Sequence, residues 1–290
     1  MGRRRLDLSA LPEDCIENVL SFSGPRDTCR LSVISSLFKS AAESDAVWEK
    51  NLPPDYRSII SRSTDPSMLT RFSSLKDLYF SLCDNPILID GAMLSFSLKK
   101  STGKKCYMLS ARNLEIIWGD TSEYWQWTSG PECRFGEVAE LIKVCWLSIR
   151  GKISASLLSP ATFYSAYLVF QLTTRTYGFD DHPLDVYWDG GESPTRSVYL
   201  NGPYRRERKD GWFEIELGEF YNNEGEEGEI VMSVFETDDF NWKCGLIVQG
   251  IEIRPREIDS ATKPKEIDSA EKPLSLRRSK RVKRGAVVLG

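Results

Sequence analysis

The sequence predicts an α+β multidomain chain: a three-helix unit over 6–50, a helical connector over 51–86, an antiparallel β-sandwich of jelly-roll type over 87–255 and a disordered basic tail over 256–290. Three observations carry this reading. Up to about residue 86, apolar residues recur every three to four positions, the period of a helix. From about residue 87 the period becomes two and turn clusters separate the runs, the pattern of half-buried antiparallel strands. The last 35 residues lose both periods.

Leu11-Pro12-Glu13-Asp14 opens the first helix. Proline is pre-shaped for the first helical position, and acids there complement the positive end of the helix dipole. Leu11, Cys15/Ile16 and Val19/Leu20 follow at helical spacing. Gly24-Pro25 stops this helix and starts a second, marked by Cys29, Val33 and Ile34. Leu37/Phe38, Ala41/Ala42 and Trp48 mark a third. Helices this short are marginal alone, and so small a unit buries little surface. It needs a partner, or the rest of the chain, to hold it. Pro53-Pro54 and polar neighbours make 51–64 a connecting loop. Asp65-Pro66 then caps a helix whose apolar face runs from Met68/Leu69 through Phe72, Leu75 and Leu78/Tyr79 to Leu82, ended by Asp84-Asn85-Pro86. Burying such a side chain is worth roughly 1.5–3 kcal/mol, so this face is expected to pack on one domain or both.

In the strand region Phe96/Leu98, Leu114/Ile116/Trp118, Val144/Trp146 and Ala166/Leu168/Phe170/Leu172 alternate with polar neighbours. Phe213/Ile215/Leu217 face one way and Trp212/Glu214/Glu216 the other; Ile230/Met232/Val234 and Ile251/Ile253 complete the series. Asp189-Gly190-Gly191, Asn201-Gly202-Pro203 and Asn222-Asn223-Glu224-Gly225 are turn clusters between them. No helix-length period intervenes, which disfavours a parallel α/β sheet. In the tail, Arg256 to Pro264 is nearly repeated by Lys265 to Pro273. Residues 274–290 then hold six Lys/Arg and no acid, so the net charge of −4 divides into +6 there and −10 elsewhere. Such a cluster reads either as a nuclear-import or polyanion-binding arm or as a solvated tail.

Several function classes fall away. A single histidine, His182, in the turn-like Asp-Asp-His-Pro, disfavours Ser/His/Asp and Cys/His enzymes and His-rich metal sites. Seven scattered cysteines without Cys-x-x-Cys, and no Asn-x-Ser/Thr sequon, read as buried free thiols in a reducing compartment, cytosol or nucleus. No apolar run approaches a membrane span, and no signal-peptide core follows the N-terminus. Thr102-Gly103-Lys104-Lys105 resembles the end of a phosphate loop, but its earlier glycine position is Leu98. Paired carboxylates are plentiful, so glycoside hydrolysis stays open; it needs two carboxyls roughly 5–9.5 Å apart across a cleft. No cofactor or metal is expected, no membrane partner, and nucleic acid is disfavoured.

The tryptophans give the stronger signal. Seven of the eight lie between Trp118 and Trp242, and Trp118, Trp125 and Trp127 share one polar, turn-rich stretch. Trp146 sits in an apolar strand, as core tryptophans do. An indole among Asp, Ser and Glu can stand half exposed and stack on a sugar, with carboxylates and amides taking the hydroxyls. A sandwich rim with packed indoles is the alternative.

Leu11 to Phe22, Pro25 to Val33 and Trp48 together resemble an F-box. Cys15 and Cys29 stand where leucine is common there and Phe38 where tryptophan is, without loss of apolar character. Residues from about 107 to 254 resemble the phloem protein 2 family, which includes the tobacco lectin Nictaba. The carrying segments include Ile117 to Asp120, Tyr124 to Trp127, Val138 to Leu141, Gly151 to Ile153, Tyr167 to Phe170, Asp210 to Trp212, Leu217 to Asn223 and Gly250 to Pro255. The order resembles plant F-box lectins. The resemblance implies a non-catalytic substrate receptor of an SCF-type cullin–RING ubiquitin ligase; the thiol pattern and the basic tail point to cytoplasm and nucleus. Leu11, Pro12, Ile16, Leu20 and Val33 would meet the small adaptor protein of that ligase. Matching the Nictaba-like site residue by residue gives Trp118, Trp125, Glu219 and Glu226 for an N-acetylglucosamine-containing glycan. The target of the sandwich is then a glycan, a glycoprotein or a protein. A nucleocytoplasmic lectin acting without a ligase ranks second, because a lectin alone has no use for an exposed apolar helical unit, and a glycan-processing enzyme third, because of the single histidine and the lack of a catalytic signature.

Overall fold

The computed structural model describes residues 11–130, 132–180, 182–189, 196–237 and 240–256. Expectations for the tail lie outside them. Helix α1 (Glu13–Ser21) starts after Pro12, with Glu13 and Asp14 in its first turn. Pro25 opens α2 (Pro25–Leu31), where its missing N–H costs nothing. The expected third helix is in fact two. Ser35 caps α3 (Ser36–Glu43), its hydroxyl accepting from the Phe38 amide at 3.3 Å. Ser44 then turns extended and α4 (Asp45–Asn51) follows. Serine favours such boundaries over helix interiors, and continuous apolar spacing hid this one. The loop expected over 51–64 contains α5 (Tyr56–Ser61), which buries Tyr56, Ile59 and Ile60. The helix expected after Asp65 is also two, α6 (Met68–Arg71) and α7 (Leu75–Asp84). Ser74 caps α7 by accepting from the Asp77 amide at 3.1 Å. The apolar face of this segment is buried at Met68, Leu78, Tyr79 and Leu82.

The strands form two antiparallel sheets. The larger runs, in spatial order, β1 (Ile87–Ile89), β2 (Leu94–Leu98), β3 (Lys105–Ser110), β14 (Cys244–Pro255), β8 (Thr162–Tyr177), β12 (Phe213–Asn222) and β11 (Arg206–Glu207). The pair β5 (Trp125–Thr128) and β6 (Val138–Leu141) joins it through β14. The smaller runs β10 (Arg196–Val198), β9 (Leu184–Asp189), β13 (Glu229–Glu236), β7 (Leu147–Ser154) and β4 (Glu115–Ile116). Most predicted inward positions meet between the sheets: Ala166, Leu168, Phe170, Ile215, Leu217, Met232, Val234, Ile251 and Ile253 are buried, while Leu172 and Phe213 are half buried. Trp188 of β9 packs on Phe220 of β12 across the sandwich, centroids 5.0 Å apart. Trp212 and Glu214 face away from that core and are buried as well. Trp212 joins Met108, Val138 and Val169 in a second small cluster, while Glu214 accepts from Arg208 and Arg254.

The helices are seated on the sandwich, and one apolar core is continuous through both. Trp48 packs against Tyr79 and Phe80 with centroids 5.0 and 5.3 Å away, and its Nε1 donates to the Ala42 carbonyl at 2.8 Å. The Tyr79 hydroxyl donates to the Lys100 carbonyl at 3.1 Å, in the turn between β2 and β3. Desolvation pushes that phenol far above its ordinary range, so it stays a donor. Lys105 of β3, with its side chain only 7% exposed, pairs with Asp55 at 3.0 Å. Arg62 clasps Asp90 through two hydrogen bonds. At Gly103 the backbone is left-handed, and a Cβ would lie 2.4 Å from the Asn51 carbonyl oxygen. Only glycine allows so close an approach of turn to helix.

Candidate functional site

Helix α1 carries two apolar stripes. Ile16 and Leu20, 1% and 0% exposed, face inward, where α1 packs on α3 and α4. Leu11, Cys15, Val19 and Phe22 lie on the other side at helical spacing and are exposed, Phe22 to 87%. Pro12 is exposed beside them, and Val33 and Ile34, just past α2, are 85% and 61% exposed. The structure therefore divides the five candidate adaptor residues. Leu11, Pro12 and Val33 are available to a partner; Ile16 and Leu20 are core and hold the helix that presents them. Sequence reasoning passed over Val19, Phe22 and Ile34 as contact residues. The signal was there: a short helix apolar on two sides has one side too many for its own core.

The four candidate sugar residues do not come together. Trp125, amid polar neighbours, is only 1% exposed, so it cannot serve as a stacking wall. Its Nε1 donates to the Ile117 carbonyl at 3.2 Å, and Trp127 Nε1 donates to the Gly119 carbonyl at 3.0 Å. The two indoles thus pin the turn that carries Trp118. Trp118 has φ 54°, a left-handed conformation costly for any residue with a Cβ. It is 39% exposed, lies 5.4 Å from Tyr124, and meets the edge of Trp146 at 6.1 Å. Trp146, expected in the core, is 41% exposed because it precedes β7 rather than lying within it. Trp242 and Tyr177, 51% and 61% exposed, lie toward the same end of the sandwich.

The acids lie at the opposite end. Ile117 bonds to Ser148 near the start of β7, where Leu147 pairs with Glu236; Glu226 precedes Glu229, which pairs with Ser154. Seven residue steps of β13 separate those rows, roughly 24 Å at the rise of a strand. Glu219 pairs with Ser165, three positions from the same hairpin end. Its carboxylate accepts from Arg256, while burial pushes its pKa upward against that cation. Glu226 is exposed and accepts from Asn223 Nδ2 at 2.7 Å.

Other expectations resolve more simply. His182 is half buried, with Nδ1 3.2 Å from Asn241 Nδ2. All seven cysteines are free, but only Cys106 is buried; Cys15 is exposed and the rest are half buried. Among the described residues no cluster of His, Cys, Asp and Glu could hold a metal, and no helix is long and apolar enough to cross a membrane.

Residues 104–255 match phloem protein 2, and residues 8–50 match the F-box domain. The putative F-box protein PP2-B12 of Arabidopsis thaliana is 50% identical over 252 residues, covering 86% of this chain and 98% of that protein. The F-box protein PP2-B10 of the same plant is 47% identical over 277 residues, covering 89% of this chain and 100% of that protein. With an apolar helical surface in its F-box segment and an antiparallel sandwich in its phloem protein 2 segment, the chain belongs to the F-box proteins that carry a phloem protein 2 domain.

Proposed function

We propose that the chain is the substrate-recognition subunit of an SCF-type cullin–RING E3 ubiquitin ligase, acting without catalytic chemistry of its own. The observation that carries this is the second apolar stripe of α1 within the F-box segment, left exposed among the described residues. A surface of that kind marks a protein partner, and the F-box family names its class: the small adaptor of the ligase. Leu11, Pro12 and Val33 contact it, joined by Val19 and Phe22. Ile16 and Leu20 support the helix from beneath. Residues 6–50 form the docking unit, 51–86 the helical connector that seats it, 87–255 the target-selecting sandwich, and the basic tail over 256–290 supports residence in nucleus as well as cytoplasm. Co-purification of the full chain with the adaptor tests this. Leu11→Ala with Pro12→Ala should weaken capture, since truncating interface anchors costs ~1–4 kcal/mol each, while the sandwich stays folded. Unchanged capture sinks the assignment.

A carbohydrate-binding sandwich is favoured by one observation, the strained and half-exposed Trp118 beside Tyr124 and Trp146. In this reading Trp118 stacks on an N-acetylglucosamine-containing glycan and Trp125 positions its turn. Glu219 and Glu226 would need a separate contact with a longer glycan, given their place at the other end. Affinity for one sugar should sit near the millimolar end, about −4 kcal/mol. Glycan-array binding lost in Trp118→Ala but kept in Glu226→Gln would locate the sugar at the tryptophan end. Silence of the folded wild type leaves a protein-reading sandwich. The same protein acting as a lectin without a ligase is the alternative, and failure of adaptor capture would favour it.

A further inference from the structure

The outer face of the larger sheet holds an ionic floor that neither reading above uses. Arg254 makes a two-pronged pair with Glu214 at 2.6 and 2.8 Å and reaches Glu252 at 2.8 Å. Arg208 bonds Glu252 at 2.6 Å and Glu214 at 2.9 Å, and Arg134 approaches Glu252 at 3.5 Å. Glu252 is therefore held ionised, and each of its neighbours has its charge answered. Such a floor is rigid and nearly neutral.

The rim above it is not neutral. A cleft of about 550 Å³ opens over this floor, bounded by the β2–β3 turn and the loop around β11. Six cations and four acids line it, a net +2, with Lys100 answered from outside the lining by Asp84 at 2.9 Å. Everything outside residues 274–290 carries −10, so the cleft is positive against an acidic background. Arg206 and Lys209 are exposed, and neither has an ion-pair partner among the described residues. A second cleft of about 490 Å³ shares Arg206 and Glu214 with the first and is walled by Tyr204, Pro203 and Tyr167. The two clefts adjoin at Arg206 and Glu214 as one trough, with the cation excess in one half and Tyr204 and Tyr167 beside Arg196 and Glu216 in the other.

We propose that this trough binds an extended peptide segment carrying a phosphomonoester, with the phosphate held by Arg206 and Lys209 and the adjoining residue placed against Tyr204. Guanidinium and ammonium groups give phosphate charge-assisted hydrogen bonds. Satisfied floor carboxylates cannot swing out to compete with it. A trough of two adjoining clefts suits an extended chain, and Tyr204 adds a contact that free phosphate would not use. The inference rests on the reading of the sandwich as target selector and specifies one class of target.

The test uses the full chain immobilised against two synthetic peptide pools of equal degenerate sequence, one with a central phosphoserine or phosphothreonine and one without. Heparin-derived sulfated oligosaccharide and inorganic phosphate are run in parallel. Wild type should retain the phosphorylated pool about tenfold over the other, and Arg206→Glu with Lys209→Glu should erase that preference, since removing charge-assisted hydrogen bonds to the phosphate weakens binding strongly. Tyr204→Ala should lower retention of the pool without changing the effect of added inorganic phosphate. Adaptor capture and melting temperature are measured on the same samples, so failure of the ligase reading and failure of the trough register separately. Equal retention of both pools overturns the proposal. So does a preference untouched by the double substitution, or retention of the sulfated oligosaccharide alone.

Discussion

Two helical surfaces of similar composition meet opposite fates in this molecule. The surface built from Trp48, Tyr56, Ile59, Leu78 and Tyr79 is sealed against the sandwich, each of these residues exposed by no more than 3%. The surface built from Val19, Phe22, Val33 and Ile34 stays in water, each of them exposed by at least 57%. Hydrophobicity alone does not separate them. The first is joined to its neighbour by directional contacts: a buried lysine on Asp55, a tyrosine hydroxyl on a turn carbonyl, a glycine that lets backbone meet backbone. The second has no such contacts within the described chain. Apolar content marks a surface as needing cover, while polar complementarity on the same molecule tells whether that cover is internal.

Substitutions can break or sharpen this contrast. The largest effect is expected at the sealed surface. Trp48→Ala removes a side chain of zero exposure and should cost ~3–5 kcal/mol. Chemical denaturation should show helices and sandwich losing stability together; a sandwich keeping its wild-type midpoint would dissolve the idea of a shared core.

Next comes Glu252, where burial alone would raise the pKa but three surrounding arginines hold it down at about 2. Because the folded value lies below the ordinary value of 4.5, its contribution is fully present above about pH 4.5 and fades as pH falls toward 2. The shift corresponds to ~3 kcal/mol at neutral pH. Glu252→Gln should show that loss in urea titrations at pH 7, and the gap from wild type should close as acid is added.

Gly103→Ala should cost about 1–2 kcal/mol for the left-handed backbone alone, and the Asn51 carbonyl makes the seam shift as well. Calorimetry should register the lower melting temperature, and a proteolytic nick near the β2–β3 turn should become faster. The smallest effect on stability is expected at the open surface. Phe22→Ser with Val33→Ser should move the melting temperature by an amount equivalent to less than ~0.5 kcal/mol, yet abolish adaptor capture. A large loss of stability in this variant would mean that the patch is part of the core.

The sequence made the frame of this fold legible. The change of period near residue 87, the proline starts of α1 and α2, and the inward sets of β8 and β12 follow from rules that act within a few residues. What escaped it acts across the chain. Tyr56, Ile59 and Ile60 sit beside Pro53-Pro54 and polar residues, so local composition suggested a loop; the sandwich edge supplies the burial that makes α5 a helix. Local polarity also misplaced the indoles. Trp125 is surrounded by Glu, Gln and Thr yet buried by β6, whereas Trp146 follows Val144-Cys145 yet emerges at a strand start. Glu219 and Glu226 match the same family site as Trp118 and Trp125, but register decides which end of the sandwich receives them. The outer network of Arg134, Arg208, Glu214, Glu252 and Arg254 joins three distant segments, so no window of sequence contains it.

The open stripe of α1 also bears on supply. A chain whose Phe22 and Val33 are almost wholly uncovered is, before it meets a partner, itself a candidate for self-association and chaperone capture. A partner that covers the stripe binds only the folded form and adds stability that grows with its free concentration. The abundance of this protein should therefore follow the stoichiometry of its partner more closely than its own rate of synthesis, with surplus copies being the first to be cleared.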